Sequence, residues 1–247
     1  MSKLFEQMRL DRLLANMGYG SRRDIQQWVK AKAIVLDGNP VADADGRIAV
    51  TPDLSARMTI LGKPLDPPPG MILMLHKPLG VTCSHKEVGP IVYDLLPARW
   101  RNRKPAISTV GRLDKESSGL LLMTDDGGLL HRLISPKSHS PKRYVAKLAR
   151  VLKGDEASIF ASGTTMLEGE DKPLLAAVLE VLSPTEARLT LTEGRYHQVR
   201  RMFAAVGNHV EALHRDRIGS LDLPADLTAG SYRLLTVAEI EMLGIQR

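Results

Sequence analysis

Residues 111–124 read GRLDKESSGLLLMT, a polar loop that leads directly into an apolar run. Gly111 and Gly119 bracket the loop, and residues 120–123 have the uninterrupted apolar character of a buried strand. A loop at the mouth of a buried strand is a good place for a reactive side chain, because the strand fixes its position. Asp114 is therefore a candidate for chemistry, and the alternative is an aspartate that only orders its own loop.

The sequence around this stretch contains short apolar runs separated by turns and a few helical segments. Strands are predicted at residues 71–75, 120–123, 144–146 and 188–191, and helices at residues 195–206 and 237–243. Strands and helices do not alternate regularly, and the sequence has neither a Gly-x-Gly-x-x-Gly fingerprint nor a phosphate-binding loop. The pattern predicts the α+β fold class and not a doubly wound sheet.

Residues 1–61 read as a separate small module. Its first helix is indicated by the helical spacing of Leu10, Leu13, Leu14 and Met17. A second helix follows, because Ser21 is a predicted N-cap with Asp24 in the capping-box position. Short strands with hairpin turns are predicted at residues 33–36 and 48–50, with Asp37-Gly38 as a turn pair.

Residues 62–70, GKPLDPPPG, are the predicted linker between two domains. Consecutive prolines favour an extended, semi-rigid spacer and stop regular structure. The predicted division is therefore a domain at residues 1–61, a linker at residues 62–70 and a second domain at residues 71–247. Such a linker permits several orientations of the small module.

The charge balance and the single cysteine limit the class of protein. Lysine and arginine total 34 against 28 acidic residues, a formal net charge of +6, which suits a nucleic-acid partner. The apolar runs do not reach the ~20 residues that span a bilayer, and the first residues lack the apolar core of a signal peptide. We therefore expect a cytoplasmic protein with no membrane partner. The lone Cys83 excludes an intramolecular disulfide and an all-cysteine zinc site.

The order helix–helix–hairpin, with basic residues around the helices, resembles the RNA-binding module named after the fourth small-subunit ribosomal protein. The resemblance covers about residues 8–54 and rests on RLDRLL at residues 9–14 and GSRR at residues 20–23. It implies RNA contacts by Arg9, Arg12, Arg22 and Arg23, which would bind phosphates and fix position with little sequence information. The alternative is a small helical domain with solvated charges.

The loop at residues 111–120 closely matches the active-site motif of the RsuA- and RluA-type pseudouridine synthases. The matching elements are Gly-Arg-Leu-Asp, two further residues, two hydroxyl residues and then Gly-Leu. The aspartate of that motif is the nucleophile, and the resemblance implies this role for Asp114. Ser117 and Ser118 stand where relatives often carry threonine, so the hydroxyl groups are retained.

Three further segments resemble the same family. Residues 142–145, KRYV, match a motif whose tyrosine stacks on the target base, which implies this role for Tyr144. Residues 193–202, EGRYHQVRRM, match a motif in which the arginine of Gln-Val-Arg pairs with the catalytic aspartate, which points to Arg200. Residues 76–84, HKPLGVTCS, fit another family motif, although relatives commonly begin it with asparagine.

The match continues through residues 203–219, where the chain is similar to the branch of the family that modifies 16S rRNA. The resemblance spans about residues 8–240. It implies an enzyme, built on a mixed, mainly antiparallel sheet, that isomerises one uridine (uridine 516) in 16S rRNA or a small-subunit assembly intermediate, and we expect it to be a monomer. In the larger domain it implies substrate or RNA contacts by Arg112, Lys142, Arg195, His197, Gln198 and Arg201.

The chemistry that the resemblance implies needs a carboxylate and no cofactor. Pseudouridine formation breaks the bond from ribose to the uracil nitrogen, turns the base and rejoins it through carbon 5, without redox change or net hydrolysis. The carboxylate of Asp114 could attack the anomeric carbon, add to the ring or assist elimination through a glycal. Desolvation raises the pKa of a carboxyl group in an apolar pocket, and a guanidinium group opposes this, which is the role implied for Arg200.

Several candidate residues have a structural alternative. Tyr144 could be a half-buried strand residue with its hydroxyl group outward, and Arg195, Arg200 and Arg201 could form a solvated helix face. The histidines at positions 197, 209 and 214 do not have the spacing of zinc ligands, so no metal is predicted.

For the whole protein, the alternatives are a 23S rRNA pseudouridine synthase, a non-catalytic rRNA-binding assembly factor and a metal-dependent nuclease. Asp114, Tyr144 and Arg200 together argue against the assembly factor, because a degenerate enzyme need not retain them all. The nuclease would need clustered carboxylates, and residues 125–126 offer only a turn-like acidic pair.

Overall fold

The computed structural model describes residues 5–84, 88–135 and 140–244. The strands are β1 Gln7–Arg9, β2 Ile34–Leu36, β3 Asn39–Pro40, β4 Arg47–Ala49, β5 Met58–Ile60, β6 Lys63–Pro64, β7 Ile72–Lys77, β8 Ser108–Thr109, β9 Ser117–Thr124, β10 Lys142–Leu148, β11 Val178–Ser183, β12 Glu186–Leu191, β13 Val210–Ile218, β14 Leu221–Asp222 and β15 Tyr232–Leu234. The helices are α1 Leu10–Asn16, α2 Arg22–Lys30, α3 Leu54–Arg57, α4 Gly127–Ile134, α5 Glu156–Ala161, α6 Gln198–Ala205 and α7 Val237–Met242, with 3₁₀ turns at Val92–Leu95 and Ala98–Asn102.

Helices α1 and α2 bury the apolar faces that their spacing predicts. The three leucines of α1 and Ile25 of α2 are fully buried in one core. Helix α2 begins at a capping box, in which Ser21 Oγ accepts a hydrogen bond from Asp24 N and the Asp24 carboxylate accepts one from Ser21 N. Both predicted helices and the predicted cap are confirmed.

The strand near residues 48–50 has a different partner from the one predicted. Strands β2 and β3 form the expected hairpin, with Asp37 and Gly38 at φ 51° and 79°. Strand β4, however, pairs antiparallel with β1, and Ile48 lies opposite Met8. The predicted hairpin involving residues 48–50 is therefore wrong, because the partner strand precedes both helices and three residues carry too little pattern to reveal it.

Residues 62–70 are anchored and do not form a free spacer. Strand β6 pairs with β5, and Leu65 is buried in the core of the small module. The Asp66 carboxylate accepts two hydrogen bonds of 2.7 Å from Arg99, and the Asp66 N–H donates to Tyr19 Oη at 2.8 Å. The prolines therefore follow a segment that is already held by side-chain contacts.

The far end of the predicted linker is held by the buried ion pair of Arg103 and Asp125. Arg103 Nη2 lies 2.7 Å from Asp125 Oδ2, with 1% and 2% of these side chains exposed. The same Asp125 accepts hydrogen bonds from the N–H groups of Gly70 and Met71. Burying two charges is costly unless further hydrogen bonds offset the desolvation, and here the linker backbone supplies several, including one from Arg103 Nη2 to Pro67 O.

The chain divides into two compact units whose borders differ from the predicted division. One unit takes in the described residues of Met1–Ile72, Leu96–Ser108 and Met123–Leu130, and the other takes in those of Leu73–Leu95, Thr109–Leu122 and His131–Arg247. Two later segments join the first unit because they carry Arg99, Arg103 and Asp125, the side chains that hold residues 66–71.

The second unit is built around one large sheet. Its strand order is β11-β12-β10-β13-β9-β7-β15, with β14 beside β13 and β8 beside β9. Strands β10 and β12, β10 and β13, β11 and β12, and β7 and β15 pair antiparallel, whereas β13 and β9 pair parallel. The predicted α+β class with a mixed, mainly antiparallel sheet is confirmed.

Helix α6 packs its apolar face on this sheet. Val199, Met202 and Phe203 are buried with the inward-facing residues of β10, β12 and β13, and Phe203 meets Phe160 edge to face at 5.5 Å. The helix begins at Gln198, three residues after the predicted start, because His197 has a left-handed backbone at φ 49° and ψ 32°. Within the described ranges, none of the helices has both the length and the apolar character needed to cross a membrane.

Candidate active site

The loop that carries Asp114 is held by hydrogen bonds to its main chain. Lys77 Nζ donates to Ser117 O at 2.8 Å, Gly80 N donates to Lys115 O at 2.9 Å, and Cys83 Sγ donates to Leu113 O at 3.3 Å. The first donor is unusual, since Lys77 is fully buried and burial lowers the pKa of its ammonium group. The segment at residues 76–84 therefore holds the main chain of the Asp114 loop in place.

Asp114 lines a cavity of about 650 Å³ in the second unit. Walls of the cavity come from the Asp114 loop, from β10 and β13, and from residues 191–199 at the start of α6. Among the candidate residues from the sequence, those that line it are Asp114, Tyr144, Arg112, Lys142, Arg195, His197 and Gln198. Residues scattered over 87 positions of the chain, from 112 to 198, are thus brought to one place, and the cavity is large enough for a nucleotide-sized ligand.

His197 is the side chain found beside the candidate nucleophile. Its Nε2 lies 3.4 Å from Asp114 Oδ1, and about a third of each side chain is exposed. The left-handed backbone of His197 places the imidazole there, at the position that precedes α6. A non-glycine residue in this conformation costs free energy and is common at functional sites.

The predicted pairing of Arg200 with Asp114 is wrong in this structure. Arg200 Nη1 donates to Val210 O at 2.7 Å, and Nη2 donates to Glu116 O at 2.9 Å. Arg200 also does not line the cavity. The guanidinium group instead ties α6 to β13 and to the loop that carries Asp114, through hydrogen bonds to these two main-chain carbonyl oxygens.

The cation buried in the cavity wall is Arg215, which sequence reasoning did not single out. It lies on β13, is 2% exposed, and pairs in register with Tyr144 of β10 and Gly119 of β9. Arg215 Nε donates to Leu120 O at 2.8 Å, and Nη1 lies 3.4 Å from Tyr144 Oη. Its Nη2 is buried without a hydrogen-bond partner among the described residues. Buried donors without a partner are rare in folded proteins, which makes this position a candidate for a functional use.

Gly119 explains how Arg215 comes so close. A Cβ atom on Gly119 would lie 2.2 Å from Arg215 O and 2.6 Å from Arg215 N, and the φ of Gly119 is +112°. Both conditions require glycine, so this position of the motif sets the contact between β9 and β13. The sequence offered no local signal for Arg215, because residues 214–217, HRDR, read as a solvated charged run.

Lys142 and Tyr144 reach the cavity from β10. Burial lowers the pKa of Lys142, and the charge of Arg215 adds to the effect. Lys142 Nζ donates to Ser140 O at 3.1 Å. Tyr144 is half-buried, with its ring centroid 5.9 Å from Arg215 Cζ. Among the described residues, the cavity lining therefore combines the carboxylates of Asp114 and Glu193, the rings of Tyr144, Tyr196 and His197, and several cationic donors.

Arg195 and Arg201 are engaged within the protein. Arg195 contacts the carboxylates of Glu193 and Glu170 at 3.2 Å, and Arg201 contacts Glu170 at 2.8 Å. Gln198 Nε2 donates to Glu193 Oε1 at 2.9 Å. Among the described residues these ion pairs hold the loop at the cavity edge, so the side chains have a structural use that the sequence did not predict.

In the small module the predicted RNA-contacting arginines separate into two groups. Arg9 and Arg22 flank the fully buried Asp11, at 3.0 and 2.8 Å, and Arg9 also pairs with Asp45. Burial acts to raise the pKa of Asp11, but the hydrogen bonds from the two guanidinium groups outweigh it and the pKa is lowered. Arg12 and Arg23 are exposed, and no ion pair involves them in the part of the chain that the structure describes.

Metal-ligating side chains do not cluster in this site. Over the residues that the structure describes, no group of three or more His, Cys, Asp or Glu side chains could hold a metal ion. The chain combines a carboxylate-centred cavity in its second unit with a basic module in its first, which defines the class of a nucleic-acid-modifying enzyme with a separate RNA-binding domain.

Comparison with known proteins agrees with this class. Residues 71–205 match the family model for RNA pseudouridylate synthase, and residues 8–48 match the S4 domain. The chain belongs to the RNA pseudouridylate synthase family, whose members are isomerases, and carries an S4 domain at its N-terminal side.

Two curated relatives align over nearly the whole chain. Ribosomal small subunit pseudouridine synthase A of Escherichia coli is 42% identical over 239 residues, with 94% of this chain and 98% of the relative covered. The uncharacterized RNA pseudouridine synthase YtzG of Bacillus subtilis is 41% identical, with 96% of this chain and 98% of the relative covered. A crystal structure of a pseudouridylate synthase is 35% identical, with a TM-score of 0.67 and 96% and 99% of the two chains covered.

Proposed function

We propose that this enzyme isomerises one uridine of small-subunit rRNA to pseudouridine, with Asp114 as the nucleophile. The observation that carries the proposal is Asp114 itself, which lines a cavity of about 650 Å³ together with Tyr144 and the buried Arg215. The small-subunit substrate is supported by the name of the Escherichia coli relative at 42% identity. The family resemblance of residues 193–219 supports uridine 516 of 16S rRNA as the target.

The reaction requires no cofactor in this proposal. The bond from the ribose anomeric carbon to the uracil nitrogen breaks, the base turns within the cavity, and a bond from the anomeric carbon to carbon 5 forms. Carbon 5 then loses its proton and the nitrogen released from the ribose takes one up, so atoms and electrons balance without an oxidant. The Asp114 carboxylate acts on the sugar or on the ring, and attack, ring addition and elimination through a glycal are all consistent with its position.

The remaining side chains bind and orient the target nucleotide. A stacked base must be turned out of the RNA before it can react, and Tyr144 recovers part of this cost by stacking on it. Arg215 Nη1 contacts the Tyr144 hydroxyl group and helps to fix the position of that side chain. His197 contacts the carboxylate, and Lys142 and Arg112 add donors to the wall.

The S4 domain supplies affinity for the RNA backbone. Arg12 and Arg23 are the arginines of this domain that point to phosphate contacts, because they are exposed and have no ion pair in the described chain. Phosphate contacts make binding depend on salt, and each one lost lowers the salt slope by about 1. The expectations of a 16S rRNA or assembly-intermediate partner, a monomer and a cytoplasmic enzyme stay predictions.

Asp114→Asn tests the nucleophile. Asparagine is nearly isosteric but is not an effective nucleophile, so this variant should bind a 16S transcript as the unchanged protein does and release no tritium from carbon-5-labelled uridine. Asp126→Asn is the matched control, since Asp126 Oδ1 accepts a hydrogen bond from Leu129 N and asparagine keeps that acceptor. Substantial pseudouridine formation by Asp114→Asn would refute the assignment.

The same assay decides between the proposal and its alternatives. Mapping of pseudouridine in 16S and 23S rRNA incubated with the unchanged protein should show one modified position in 16S rRNA. A position in 23S rRNA would keep the chemistry and overturn the substrate. RNA binding without any modified position would indicate a non-catalytic assembly factor.

A further inference from the structure

Tyr196 is an exposed aromatic ring at the edge of the catalytic cavity. Its exposure is 75%, compared with 45% for Phe5 and 6% for Tyr93. The chain has only 3 phenylalanines, 2 tryptophans and 5 tyrosines, so aromatic surface is scarce, and burying such a ring is favourable. An aromatic side chain that stays in water beside a ligand cavity is a candidate for ligand contact.

The ring of Tyr196 is held in one orientation. It stacks on the imidazole of His197, with centroids 3.9 Å apart and planes 15° from parallel. One ring face is therefore already covered, and the exposure of the side chain comes from the rest of the ring. A preorganised ring loses less conformational entropy when a ligand stacks on it than a freely rotating one.

The backbone around Tyr196 is fixed as well. Arg201 Nη1 donates to Tyr196 O at 3.3 Å, and Arg195 N donates to Gln198 Oε1 at 2.8 Å. The Arg195 guanidinium group is anchored on Glu193 and on Glu170. These contacts make the segment a rigid rim, and they explain why the neighbouring arginines are engaged within the protein.

His197 connects this rim to the candidate nucleophile. Its left-handed backbone directs one edge of the imidazole to Asp114, at 3.4 Å, while its face carries Tyr196. The conformation costs free energy for a residue with a Cβ, and a position that keeps this cost points to a use for the arrangement. A ligand group stacked on Tyr196 would therefore lie at a defined distance from the Asp114 carboxylate.

We propose that Tyr196, backed by His197, is a stacking platform for a nucleobase that flanks the target uridine in the RNA strand. This rests on the proposed function, since a strand that delivers one base into the cavity keeps the neighbouring bases at its rim. Every base has a flat π-face, so aromatic platforms bind single-stranded RNA without reading its sequence. The platform thus fixes the position of the strand, while Tyr144 takes the target base inside.

The test is a double-mutant cycle between the protein and the RNA. The probe is a 16S rRNA fragment that contains the mapped target uridine, with each flanking nucleotide replaced in turn by an abasic one. For the intact fragment, Tyr196→Ala should raise Kd and KM by about 5- to 100-fold, which corresponds to about 1–3 kcal/mol at 1.4 kcal/mol per tenfold. Tyr196→Phe should stay within about twofold, because the stacking face is retained.

The coupling identifies the platform. At one flanking position the abasic substitution should weaken binding by the unchanged protein and have no further effect on Tyr196→Ala. Val237→Ala is the control, because Val237 is 69% exposed on α7 and does not line the cavity. Equal losses in both proteins at every flanking position, or an unchanged Kd for Tyr196→Ala, would overturn the proposal. If the unchanged protein forms no pseudouridine in the fragment, the proposed function fails instead.

Discussion

Substitution of Gly119 by alanine tests how β9 and β13 build the active site. The added Cβ would lie 2.2 Å from Arg215 O, far inside van der Waals contact, and the backbone φ is +112°. A residue with a Cβ in such a conformation costs about 1–3 kcal/mol, and forced overpacking costs about 1–3 kcal/mol more. The free energy of unfolding should therefore fall by about 2–6 kcal/mol.

Two other glycines separate the cost of the backbone conformation from the cost of overpacking. Gly230 has φ +87° and open space at the Cβ position, so Gly230→Ala should carry only the backbone cost, about 1–2 kcal/mol. Gly127 begins α4 and has no positive φ, and a Cβ added to it would have no neighbouring atom within 4 Å. Gly127→Ala should therefore be neutral or stabilising by about 0.4–1 kcal/mol. The order of thermal midpoints should be Gly127→Ala above Gly230→Ala above Gly119→Ala.

Thermal unfolding followed by circular dichroism, together with tritium release, measures both consequences. In a chain of this length each kcal/mol shifts the midpoint by about 2–4 °C, so Gly119→Ala should melt about 4–24 °C below the unchanged protein. Tritium release should fall even well below the midpoint, because a displaced β13 moves Arg215 away from Tyr144. If Gly119→Ala melts with Gly230→Ala, the close approach of the two strands is not as described.

Three further variants test individual contacts. Arg200→Met removes two hydrogen bonds to main-chain carbonyls and should lower the free energy of unfolding, measured in urea, by about 1–3 kcal/mol. The pH dependence of the reaction rate should not change. A shift of its acid limb would mean that Arg200 does act on the proposed nucleophile. Arg103→Met leaves the buried Asp125 without its cation and should lower the free energy of unfolding by about 3–5 kcal/mol. Adding Asp125→Asn to the same chain should restore part of this loss. A loss below about 1 kcal/mol would argue that the pair is solvated. The hydrogen bond from Arg233 is the largest cause that lowers the pKa of Glu239 from 4.5 to about 2, and the cap at the start of α7 adds to it. The stabilisation of the folded protein by ionised Glu239 is therefore complete above pH 4.5 and is lost as pH falls through about 2. Glu239→Gln should therefore cost about 1–3 kcal/mol at pH 7 and progressively less from pH 4.5 to 2, whereas a difference independent of pH would exclude an ionic origin.

Local sequence patterns were sufficient for much of the fold. The helical spacing of the α1 leucines, the Ser21 capping box and the apolar runs that became β7, β9, β10 and β12 each depend on interactions between near neighbours in the chain. The short strand β1 did not stand out, because it pairs with β4, which follows both helices in the chain. The edge strand β11 was also missed, although its partner β12 follows it directly, because its residues VLEVLS lack strand alternation.

The sequence by itself determined that Asp114 is the candidate nucleophile and that Tyr144 is its companion, because each lies in a short motif whose residues are adjacent in the chain. Only the tertiary structure decided which cation accompanies them. Arg200 binds two main-chain carbonyls, and Arg215 enters the cavity wall instead. The physical reason is strand register: β13 pairs parallel with β9 and antiparallel with β10, which places Arg215 beside Gly119 and Tyr144, residues 96 and 71 positions away. A local pattern cannot encode that register, because it is set by packing between segments that meet only in the folded chain.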